Sequence, residues 1–108
     1  MVKKSLNPKL KKYIEDYKKN LSKHKIVWER IILFGSYAKG KQHDWSDIDL
    51  AIISKQFGKD IIGKRMLLSR LKPDIPITEK TYIESHPLSP KDLDNPYLTL
   101  SQEIKKQV

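Results

Sequence analysis

Cysteine is absent from the 108-residue sequence, which excludes disulfides, thiolate zinc sites and a thiol nucleophile. Glycine is scarce, at four residues, and no Gly-Lys-Ser/Thr occurs, so a P-loop is excluded as well. No apolar run approaches the ~18 residues that a membrane span requires. The opening Met1-Val2-Lys3-Lys4-Ser5 runs into a charged amphipathic stretch and not into the apolar core of a signal peptide. The cytoplasm is therefore the expected compartment, and the glycosylation pattern Asn20-Leu21-Ser22 is taken as accidental. His24, His43 and His86 are scattered, with no zinc-like spacing. Ser36 lacks the Gly-x-Ser-x-Gly elbow of a hydrolase nucleophile.

What is present is a lean globular composition, 38% hydrophobic and 32% charged, with a net charge of +9. The length suits one domain with one modest core, so residues 1–108 are expected to form a single domain with no separate substrate-binding unit. Residues 1–30 hold ten basic and three acidic side chains, whereas residues 31–108 hold twelve and ten. The basic excess thus lies on the N-terminal segment, where it offers a surface for nucleic acid or simply a solvated helix face.

Asn7-Pro8 has the form of a helix start, with Asn as N-cap and Pro in the first turn. Leu10, Tyr13, Ile14, Tyr17 and Leu21 then recur at helical spacing. The apolar run Ile31-Ile32-Leu33-Phe34, stopped by Gly35-Ser36, predicts a buried strand, and Ile48–Ile53 predicts a second. Residues 35–46 form a polar turn region with room for a short helix from Tyr37. A helix is expected over 60–71, weakened by Gly63. Asp74-Ile75-Pro76-Ile77-Thr78 is expected to be a short third strand, with Pro76 at an edge or end. The segment 86–96 is expected to be loop, and Tyr97, Leu100, Ile104 and Val108 to line one side of a final helix. That helix, with Leu98, either packs on its own sheet or meets a partner. The class is α/β (α+β), a small mixed sheet flanked by helices.

The informative residues are Gly35-Ser36, ten residues, then Asp47-Ile48-Asp49. In a strand, positions i and i+2 share a face, so Asp47 and Asp49 project together from Cα atoms about 6.5–7 Å apart. Two carboxylates so placed at the end of a buried strand repel unless cations lie between them. Oxygen ligands with open positions suit Mg²⁺, which shares its shell between carboxylates and substrate phosphates. Gly35 lets the backbone approach a ligand closely, Ser36 adds a hydroxyl, and a helix start beyond it would aim amide groups at phosphate.

Phe34-Gly35-Ser36-Tyr37-Ala38-Lys39-Gly40 followed by Ser46-Asp47-Ile48-Asp49-Leu50-Ala51-Ile52 resembles the signature of the DNA polymerase β-like nucleotidyltransferase superfamily, in the spacing of its minimal nucleotidyltransferase (MNT) domains. The resemblance covers most of the chain and implies the nucleotidyltransferase fold. It implies Mg²⁺-dependent transfer, with two ions, of NMP from an NTP, foremost AMP from ATP, to a hydroxyl. By the same resemblance Asp47 and Asp49 would be catalytic metal ligands, and Gly35 and Ser36 would bind the nucleotide. Lys39 is expected to be either a further phosphate contact that binds the nucleotide or a plain surface lysine. Asp74 is the matching candidate for the third carboxylate, metal ligand and proton acceptor, although Pro73 and Pro76 flank it where the family has an apolar strand. His43 is expected to be a solvated loop residue. Trp45 suits either stacking on a base or covering the core.

MNT proteins commonly pair with HEPN-domain proteins in toxin–antitoxin modules, in some of which the MNT antitoxin adds AMP to a tyrosine of the toxin. The resemblance therefore implies a HEPN partner as acceptor. Two rival functions are a non-catalytic antitoxin or adaptor acting by binding, and a nucleic-acid-binding module built on residues 1–30.

Overall fold

A computed structural model of the protein describes residues 8–35, 47–95, 101, 102 and 104. The elements run α1 (Pro8–Lys23), β1 (Arg30–Phe34), β2 (Asp47–Ile53), α2 (Ile61–Leu71), β3 (Tyr82–Leu88) and α3 (Pro90–Leu93), with 3₁₀ turns at Lys55–Phe57 and Ile77–Glu79. The three strands make one mixed sheet in the order β1-β2-β3. β1 runs antiparallel to β2, pairing Phe34 with Asp49. β3 runs parallel to β2, pairing Asp47 with Tyr82 and Asp49 with Glu84. The crossover between the parallel strands carries α2, as parallel pairing requires a long connection.

Strand periodicity sorts the sheet into two unlike faces. Ile48, Leu50, Ile52 and Ile83 point to one side and pack with Tyr17 and Leu21 of α1 and Leu68 and Leu71 of α2. Ile32, Phe34, Ala51, Ile53 and Leu88 point to the other and pack with Leu93 and Ile104. Both faces of β1 and of the C-terminal half of β2 are covered, which is why those segments are continuously apolar. Ile104 is fully buried in the second cluster, so this part of the C-terminal stripe docks on its own sheet. Tyr97, Leu98, Leu100 and Val108 lie outside the described residues.

Helix ends are closed by specific side chains. The Tyr17 hydroxyl donates to the Leu68 carbonyl at 2.8 Å, and Asn20 Nδ2 donates to the Leu71 carbonyl at 2.9 Å. Both acceptors belong to the last turn of α2, whose carbonyls have no partner within the helix. Tyr17 Oη also lies 2.6 Å from Ser85 Oγ, tying α1 to β3. Burial pushes the Tyr17 phenol up to about 12. Tyr17→Phe is expected to destabilise the fold by about 1–3 kcal/mol, since it strands a buried carbonyl and a hydroxyl; urea denaturation measures this. At the other end of α2, Asp60 adopts a left-handed conformation and accepts from the Gly63 amide at 3.1 Å. A Cβ on Gly63 would overlap the Asp60 carboxylate, so the residue that weakens the helix by propensity is the one its cap requires.

The expected third strand over 74–78 is not there. Pro73 and Pro76 remove two backbone donors from that stretch, which forms coil and then the Ile77–Glu79 turn, ending at left-handed Lys80. The third strand is Tyr82–Leu88, and the expected loop over 86–96 begins as its last residues. Ser89, Pro90 and Asp92 then close a capping box on α3. Pro87 is tolerated because β3 has no partner strand on its far side among the described residues. The expected helix from Tyr37 falls outside the described residues. No described helix is long and apolar enough to cross a membrane.

Candidate active site

The second face of the sheet changes character along its length. Towards the C-terminal end of β2 it is apolar; at the N-terminal end it carries Asp47, Asp49, Tyr82, Glu84 and His86. The parallel register sets Glu84 directly beside Asp49. The alternation of β3 sends Ile83 into the opposite core and hands Ser85 to Tyr17. Asp47 and Asp49 thus stand where the Asp-x-Asp spacing put them, on one face.

Asp49 is the centre of the group. Its side chain is 23% exposed, and His86 Nε2 lies 3.5 Å from its Oδ1. Burial raises the Asp49 carboxyl above its ordinary value, and Asp47 raises it further; His86 opposes both. Glu84 is raised first by a hydrogen bond with Asp47, then by its partial burial. The Tyr82 phenol is held above its ordinary value by its hydrogen bond to Asp47. His86 is lowered, chiefly by burial, and its Nε2 is also 3.9 Å from Glu84 Oε1.

One donor atom from each of Asp49, Glu84 and His86 lies within 4.8 Å of the others. Bonds of about 2.1 Å to a six-coordinate ion place neighbouring donors roughly 3.0 Å apart and opposite donors about 4.2 Å apart. The two histidine distances fall inside that range, and rotation of the half-exposed Glu84 side chain closes the remainder. The donor set therefore fits a divalent cation, with Asp47 in contact with it through Glu84.

Gly35 ends β1 at φ +77°, and a Cβ there would overlap Asp49 Oδ2. The turn backbone thus lies directly against the carboxylate, and only glycine permits that approach. Ser36 and Lys39 lie outside the described residues, as do His43 and Trp45.

Asp74 is not brought to this group. It was expected to open the third strand, but it sits in the coil after α2, and the acid that the third strand places beside Asp49 is Glu84. Glu84 is not among the site residues expected from the sequence, and His86, scattered from the other histidines in sequence, joins Asp49 and Glu84 in space. The available signal was a second acid in an alternating segment, Tyr82-Ile83-Glu84-Ser85-His86, with the same i,i+2 placement as Asp47 and Asp49. Only one residue of those five is apolar and buried, so hydrophobic patterning passed over them.

No curated protein and no solved structure gave a significant match. The sequence model for the nucleotidyltransferase domain matches residues 10–95, a span that takes in Gly35, both aspartates of β2 and the whole of β3. With the acids and the glycine turn of that span converging on one end of the sheet, the chain belongs to the nucleotidyltransferase domain family.

Proposed function

We propose that the protein transfers a nucleoside monophosphate, foremost AMP from ATP, to a hydroxyl on another protein. The observation that carries this reading is the convergence of Asp47, Asp49 and Glu84 beside the Gly35 turn, in a chain of this family. Asp47 and Asp49 would hold the divalent ions, with Glu84 in the role expected of Asp74. When bound, such ions screen the triphosphate and stabilise the entering and leaving oxygens of an in-line displacement. The bare backbone at Gly35 lets the turn lie directly against the Asp49 carboxylate. The acceptor oxygen forms its bond to the α-phosphorus, the α–β P–O bond breaks and pyrophosphate departs. The acceptor proton goes to Glu84, which the parallel register sets beside Asp49.

The acceptor assigned in this reading is a tyrosine of a HEPN-domain partner, which the transfer silences, making this chain the antitoxin of a pair. Incubation with α-labelled ATP, Mg²⁺ or Mn²⁺ and the protein that copurifies with this chain is expected to label a HEPN-domain partner and raise its mass by whole AMP units. A partner that is neutralised with no gain in mass would show inhibition by binding alone.

A further inference from the structure

His86 occupies the boundary between the acid end and the apolar end of its sheet face. Its ring stands 5.1 Å from that of Phe34, centroid to centroid. Its side chain is only 12% exposed. Nε2 faces Asp49 and Glu84, while Nδ1 is buried with no hydrogen-bond partner among the described residues. A buried nitrogen without a partner is unfavourable, a cost that an apolar side chain of similar size would avoid. Ile53 and Leu88, further along the same face, are such side chains. The position therefore bears a cost that packing does not explain, and what distinguishes it is the nitrogen turned towards two carboxylates.

We propose that His86 Nε2 ligates a divalent ion together with Asp49 and Glu84, and that this two-carboxylate, one-imidazole site takes a first-row transition ion, for which Mn²⁺ is the spectroscopic probe, in preference to Mg²⁺. The inference rests on the transfer site described above and adds to it the identity of the ion. Mg²⁺ is a hard cation that favours oxygen donors and keeps much of its water. An imidazole nitrogen contributes to binding of transition ions and little to that of Mg²⁺. Ligation through Nε2 would place the ring proton of the neutral imidazole on Nδ1.

The test uses the full chain without a histidine tag and Mn²⁺ alone, followed by electron paramagnetic resonance. Mn²⁺ is expected to bind at least about tenfold more tightly than Mg²⁺ in competition, and pulsed spectra to show one directly coordinated ¹⁴N. His86→Gln is expected to lose the nitrogen signal and weaken Mn²⁺ about tenfold, with Mg²⁺ affinity changed less than twofold. Circular dichroism checks that the variant folds, and the wild-type spectrum decides the ligand even if it does not. Mn²⁺ bound with no coordinated nitrogen, or a nitrogen signal that survives His86→Gln, overturns the assignment while leaving the transfer site standing. Failure of Mn²⁺ and Mg²⁺ alike to bind overturns both.

Discussion

Asp49→Asn is expected to lower nucleotidyl transfer by about 10³-fold, some 4 kcal/mol of transition-state stabilisation, and yet to raise the melting temperature of the protein in EDTA at neutral pH. The two effects have one origin. Asp49 is largely enclosed, and its carboxyl is raised by burial and then by Asp47, with only partial relief from His86. A carboxyl raised in the folded state binds its proton more tightly there than in the unfolded chain, which is the reverse of a salt-bridged aspartate. As pH climbs from the ordinary value of 3.8 through the raised one, the unfolded chain ionises first and stability falls. Above the raised value the whole penalty is present.

Asparagine has nearly the same shape and no charge, so it removes that penalty along with the metal ligand. The advantage of the variant in EDTA should therefore be largest at neutral pH and shrink towards pH 4. Glu84, also raised, keeps its own penalty in both proteins. Added Mn²⁺ or Mg²⁺ should stabilise the wild type by about 2.7 kcal/mol at a hundred times Kd and the variant far less, reversing the order. Labelled transfer and calorimetry with and without chelator measure both halves. Full activity in the variant, or a lower melting point in EDTA at neutral pH, would refute the assignment of Asp49.

The legible part of the molecule is the part where one physical demand wrote the sequence. The α1 stripe and the four apolar residues of β1 are legible because burial dominates each, even where Tyr17 also hydrogen-bonds Leu68 and Ser85. Asp47 and Asp49 are legible because two acids at i,i+2 in an apolar strand have no packing rationale. β3 answers to three demands at once: Ile83 to the main core, Ser85 to Tyr17, and Glu84 with His86 to the site. Its pattern is accordingly mixed, and Ile75-Pro76-Ile77, with more apolar residues and a nearby acid, reads as the better strand. Two prolines defeat that segment, and the third acid moves with the strand from Asp74 to Glu84. Gly63 misleads in the same way, since its fitness lies in the contact with the Asp60 cap and not in helix propensity.

Gly35→Ala carries the other large effect, and its sign on stability is opposite to that of Asp49→Asn. At φ +77° an alanine is strained by about 1–2 kcal/mol, and its Cβ would also overlap Asp49 Oδ2. The backbone there is held by β1, which pairs Phe34 with Asp49, so the carboxylate is the partner that must move. Displacing a ligand by about 1 Å costs on the order of 10² in rate. Transfer should fall about 10²-fold, with weaker binding of the divalent ion and a lower melting temperature. A double-mutant cycle separates strain from overlap. In an Asp49→Ala background the overlapping oxygen is gone, so Gly35→Ala should cost only the backbone strain and destabilise measurably less than it does beside the native aspartate. Equal costs in the two backgrounds would mean that the turn does not press on Asp49, and that glycine at this position serves the backbone alone.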